Sequence, residues 1–93
     1  MTPTLLREGP YRIYMYSYDC QEPRHVHVDR ENKSAKFWLD PAVVLVENYG
    51  YSRAEIRQIE RILQKQVVAL REKWDEFCGG QYSDSQDNRG GNN

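Results

Sequence analysis

Ninety-three residues leave room for one domain with one modest core, and exclude a multidomain architecture. Apolar residues are 39% of the chain and charged residues 29%, with much of that polarity gathered at the C-terminus. A formal net charge of −1 argues against a strong non-specific grip on nucleic acid, but leaves room for a local basic stripe. No run approaches the ~20 apolar residues needed to span a bilayer, and no apolar leader segment opens the chain. These features point to a soluble, cytoplasmic protein. Its two cysteines, Cys20 and Cys78, are expected as reduced thiols, because their spacing is not that of a Cys-x-x-Cys motif and the expected compartment is reducing.

Met1 to Pro10 contains Pro3, Gly9 and Pro10. Thr4–Leu6 suits a short strand or a clasp over the core, and Gly9-Pro10 marks a turn. Tyr11 to Tyr18 is almost wholly aromatic or β-branched and reads as the first firm strand, with Arg12, Tyr14, Tyr16 and Tyr18 on one face. The tyrosine row fits amphipathic packing better than a stacking platform for bases. Asp19 to Arg24 reads as a polar loop. Strict alternation then runs from His25 to Asp29, with His25, His27 and Asp29 on one face and Val26 and Val28 on the other. Glu31-Asn32 is the expected tip of a hairpin, and Ser34 to Leu39 is the return strand, broken by Asp40-Pro41. Residues 42–46 form an apolar run whose β-branched content favours a strand over a helical turn, and Asn48 to Tyr51 reads as a loop.

Ser52-Arg-Ala-Glu55 is a capping box, and it opens a helix predicted to run to Phe77. Ile56, Ile59, Leu63, Val67, Leu70, Trp74 and Phe77 recur at steps of three and four along about 25 residues, or about 37 Å. Val67-Val68 is the weakest point of this helix, where a kink or break would fall. Gly79-Gly80 is its expected end, followed by a disordered polar tail. The reading is one α+β domain over residues 1–79: an antiparallel sheet of three to four strands packed against one long C-terminal helix, with a tail over 80–93.

Three constellations bear on chemistry. His25 and His27 suit a general acid–base pair, since imidazole titrates near neutral pH; with Arg24, Lys36 or the tyrosines beside it, the pair would suit metal-independent cleavage of RNA. The same His-x-His would hold a metal ion if a third ligand came from Asp29, Asp19 or Cys20, Asp29 being the candidate on the same strand face. Arg53, Arg57, Arg61 and Lys65 step by four and form a basic ridge, which an acidic partner or a phosphate backbone would compensate. No cofactor is expected.

The string Pro23-Arg-His-Val-His-Val, then Ala35-Lys-Phe-Trp-Leu-Asp-Pro, Gly50-Tyr-Ser and the Glu55 to Glu60 run resemble the small bacterial proteins grouped as domain of unknown function 4160. The resemblance extends from Gly9 to Gly79. Members more often carry a second proline where this chain has Arg24. The resemblance favours a turn or short helix over residues 42–46. It also implies a gene placed beside that of another small protein, a layout similar to toxin–antitoxin pairs. Carried over, the motif positions are Pro23, His25, His27, Val28, Lys36, Trp38 and Leu39, with Val28 and Leu39 in the core. The leading expectation is therefore a protein that acts by binding a small protein partner. The contacts would come from the histidine face (Arg24, Lys36, Trp38) or the helix ridge (Arg53, Arg57, Arg61). RNA is the alternative partner, and no membrane is expected.

Overall fold

A computed structural model describes residues 2–82. The order is β1 (Thr4–Glu8), β2 (Tyr11–Tyr14), a 3-10 turn (Ser17–Gln21), β3 (His25–Arg30), β4 (Lys33–Trp38), β5 (Val44–Tyr49), α1 (Arg53–Lys65) and α2 (Val67–Tyr82). The five strands form one antiparallel sheet in chain order, β1-β2-β3-β4-β5. The α+β class agrees with the sequence reading. The count does not: the described residues hold five strands, not three or four, and two α-helices, not one.

Each difference has a local cause. The N-terminal clasp is a full strand because Leu6, Arg7 and Glu8 find register with Ile13, Arg12 and Tyr11 across a turn at Gly9, whose φ is +57°. The apolar run after Asp40-Pro41 becomes β5, which continues into Asn48 and Tyr49 because Ser34 and Ala35 of β4 offer them partners. Gly50, at φ +103°, then turns the chain into α1. The expected strand Tyr11–Tyr18 stops at Tyr14, and Ser17–Gln21 coils into the 3-10 turn.

The helical stretch begins as expected. The Glu55 N–H donates to Ser52 Oγ at 3.2 Å, and the Ser52 N–H donates to Glu55 Oε1 at 2.8 Å. Lys33 Nζ, 3.0 Å from the same carboxylate, ties the β3–β4 hairpin to the start of α1. The helix breaks at Gln66, beside the Val67-Val68 weak point, where the Gln66 N–H is shared between the carbonyls of Ile62 and Leu63. Gly79-Gly80 does not end α2, which continues to Tyr82. The expected tail lies, from residue 83 onward, outside the described residues.

Alternation in β2, β3 and β4 sends Ile13, Val26, Val28, Ala35 and Phe37 to one side, all essentially without exposure. They share one core with Ile56, Ile59 and Leu63 of α1 and Leu70 and Trp74 of α2. Full burial of each such side chain contributes about 1.5–3 kcal/mol, so this shared core is the main hold between sheet and helices. Tyr51 plugs the sheet–helix junction, its hydroxyl donating to the Val28 carbonyl at 3.0 Å. Among the described residues, no helix is long and apolar enough to cross a membrane.

The reduced-thiol expectation is overturned. Cys20, in the 3-10 turn, and Cys78, in α2, form a disulfide with their Cα atoms 5.6 Å apart and 58 positions apart in sequence. Spacing alone could not reveal the pair, because only the laying of the turn against α2 brings the sulfurs together. A link closing a loop of this length removes much freedom from the unfolded chain. Reduction is therefore expected to lower stability by about 2–4 kcal/mol, read as a fall in Tm of roughly 10 °C or more in thermal unfolding with and without a thiol reductant.

Candidate functional site

Strand β3 places His25 and His27 two residues apart, on the side opposite Val26 and Val28. Register sets Tyr14 and Lys36 on either side of His27, and Trp38 opposite His25. The 3-10 turn then folds a carboxylate against both imidazoles. Its shape comes from Asp19: the Asp19 N–H donates to the Tyr16 carbonyl at 2.9 Å, and Asp19 Oδ2 accepts from the Tyr16 N–H at 2.8 Å. The same Oδ2 lies 3.1 Å from His25 Nε2 and 3.1 Å from His27 Nε2.

The two contacts differ in kind. The His27 contact has hydrogen-bond geometry, so a His27 Nε2–H donates to the carboxylate. The His25 contact is as short but misdirected, and His25 Nε2 makes no hydrogen bond. On the far side of that ring, His25 Nδ1 lies 2.9 Å from the Pro23 carbonyl, and Glu22 Oε1 is 3.7 Å away. His25 has no exposure and Asp19 has 3%, while the His27 side chain retains 16%.

Aromatic rings close the rest of the cluster. Tyr14 stacks on His27 with centroids 5.4 Å apart, Tyr16 meets His27 edge-on at 4.9 Å, and Trp38 meets His25 edge-on at 5.6 Å. Tyr16 stacks on Tyr18 in turn. Burial lowers the pKa of His27 from its ordinary value, against the opposing pull of Asp19. Lys36 Nζ stands 5.0 Å over the Trp38 ring and 3.4 Å from Glu22.

Of the residues singled out in the sequence, His25, His27, Lys36 and Trp38 come together here. Asp29, the preferred third ligand, does not join them. It accepts from the Tyr14 hydroxyl at 3.1 Å, and Asp19 takes the place between the imidazoles. Cys20, the other candidate, is held in the disulfide. Arg24 points away: its Nε and Nη2 grip Asp75 of α2 at 2.8 and 2.6 Å, and its Nη1 reaches Asp40 at 2.7 Å. That fork ties the entry to β3 to α2. Arg53, Arg57 and Arg61 are exposed on α1 and form no ion pair among the described residues. Tyr16, whose backbone shapes the site, was visible in sequence only as one rung of a presumed strand.

The site and fold define a small α+β protein with a carboxylate buried between two imidazoles of one strand. Residues 11–75 match the family described as Domain of unknown function (DUF4160), and the chain belongs to that family. The match runs from β2 through most of α2, so it takes in the whole cluster. No curated protein and no solved structure gives a match.

Asp19 is the hub of the cluster. Asp19→Ala strips an acceptor from the partly buried Tyr16 N–H and from His27, and is expected to cost about 1–3 kcal/mol in chemical denaturation. Asp29→Ala, which removes only the acceptor of the Tyr14 hydroxyl, is expected to cost less.

Proposed function

We propose that this protein works by binding a small protein partner along the open edge of its sheet at β5, as one member of a toxin–antitoxin-like pair. The observation that carries this reading is the state of that edge. Among the described residues β5 has only β4 beside it in the sheet, and its Val44, Val46 and Tyr49 are 49%, 38% and 63% exposed. An edge strand presents unpaired backbone donors and acceptors and is a template for another strand. Both edge strands carry a register irregularity, but the opposite edge is also engaged by a helix: Lys73 of α2 donates to the Leu5 carbonyl of β1 at 3.0 Å. The exposed basic ridge Arg53, Arg57, Arg61 and Lys65 follows β5 directly in the chain and gives an acidic partner a second foothold.

The rival reading, RNA cleavage by an imidazole pair, has less support. It needs two imidazoles that reach a substrate, and His25 is fully buried. Burial of Asp19 and His25 accords better with a cluster that shapes the fold around its surface than with an open reaction site.

Co-expression with the product of the neighbouring gene is expected to give a complex that survives gel filtration. Val46→Lys, which sets a charge on the edge without touching the core, is expected to weaken that complex at least tenfold, or about 1.4 kcal/mol, while leaving Tm nearly unchanged. A wild-type chain that stays monomeric and ignores its neighbour's product at micromolar concentration sinks the proposal. Self-association broken by the same substitution would reassign the edge to a second copy of this chain.

A further inference from the structure

We infer that Asp19 Oδ2, His25 Nε2 and His27 Nε2 form a three-ligand site for a divalent first-row transition ion. The inference starts from the His25 ring. A carbonyl only accepts, so the 2.9 Å contact to Pro23 places a proton on Nδ1. Nε2 makes no hydrogen bond, although it is 3.1 Å from a carboxylate oxygen. A proton on Nε2 would call for a directed bond to Asp19, which the geometry does not provide. Nε2 therefore presents a lone pair to Asp19 Oδ2, inside a site with no water-exposed surface on His25. Two electron-rich atoms facing each other at this range repel, and a cation set beside both turns that repulsion into two bonds.

The distances suit such an ion. Oδ2 lies 3.1 Å from each Nε2, and all three atoms fall within 4.8 Å of one another. Two ligands 3.1 Å apart can both sit about 2.1 Å from one ion, at an angle of about 95°. Two imidazoles and one carboxylate suit zinc, iron(II), cobalt(II) or nickel(II), whereas magnesium and calcium prefer all-oxygen sites. The surrounding groups are those that orient metal ligands. The Pro23 carbonyl fixes the tautomer and ring plane of His25, and the Tyr16 N–H steadies Asp19. Binding requires the neutral His27 ring to move its proton from Nε2 to Nδ1 by exchange with solvent on its exposed side, which frees the Nε2 lone pair for the ion and leaves the imidazole neutral. The partly exposed His27 side is the route in. With His25 and Asp19 buried, the ion would have the closed surroundings of a structural site.

The test uses the untagged full chain, stripped with a chelator and titrated with zinc by calorimetry. One ion per chain, with Kd of about 10 μM or tighter, is expected. His27→Gln alters the least buried ligand and is expected to weaken zinc at least tenfold, as is Asp19→Asn, which keeps an acceptor for Tyr16. Asp29→Asn is expected to bind as wild type does. Nitrogen-15 spectra of the histidines offer a readout independent of any variant. Zinc should shift Nε2 of both rings strongly and leave Nδ1 of His25 protonated. Absence of saturable one-to-one uptake overturns the site, as does a His27→Gln chain that binds like wild type, or a spectrum with His25 Nε2 unmoved. The outcome is independent of strand pairing at β5, which the gel-filtration experiment reads.

Discussion

A carboxylate with almost no access to water must be compensated, and the compensation of Asp19 organises this molecule around one corner. Its Oδ2 takes the Tyr16 N–H and stands against both imidazoles of β3. To deliver it there the chain must leave the sheet after Tyr14, coil through Ser17–Gln21 and return for β3. Tyr16, displaced from the expected strand, becomes a wall of the cluster, with Tyr18 stacked on it from outside. Cys20, next in sequence to Asp19, is bonded to α2, and Arg24 grips Asp75 on the same helix. The corner is thus held by a covalent link, a charged fork and ring packing at once.

The two sides of the sheet divide the work. Val26, Val28, Ala35 and Phe37 supply the burial that holds the helices, so their alternates are released for polar chemistry. The two edges divide it again, since α2 engages β1 through Lys73 while β5, among the described residues, has a strand on one side only. A metal-filled cluster and a partner-binding edge are compatible in one small domain. β4 lies between them, and its Lys36 pairs with His27 on one side and Glu47 on the other.

Features decided by near neighbours were legible in the sequence. The alternation of β3, the hairpin tip at Glu31-Asn32, the Ser52–Glu55 box and the apolar stripe of the helices all depend on residues a few positions apart. Features decided by distant partners were not. Tyr16 and Tyr18 have strong strand propensity, yet a carboxylate at position 19 and a cysteine bonded to position 78 override it. Asn48 and Tyr49 look like loop residues, but a waiting register on β4 makes them strand. The third member of the histidine cluster was among the three candidates the sequence offered. Strand periodicity favoured Asp29, whereas the turn that presents Asp19 has no periodic signature. Arg24 looked like a binding residue because its two carboxylate partners lie 16 and 51 positions away.

The link between Cys20 and Cys78 also gives the molecule a topology that its sheet order conceals. Read covalently, the protein is a ring with an arm at each end. β3, β4, β5, α1 and most of α2 lie within the closed circuit, and β1 and β2 hang outside it. One peptide-bond cut anywhere inside the circuit, including the connection between β4 and β5, opens the ring but leaves a single covalent molecule. One cut on either arm releases a fragment. The histidine cluster sits at the clasp of that ring, so Asp19 and its two imidazoles stay covalently joined whichever connection inside the circuit is severed.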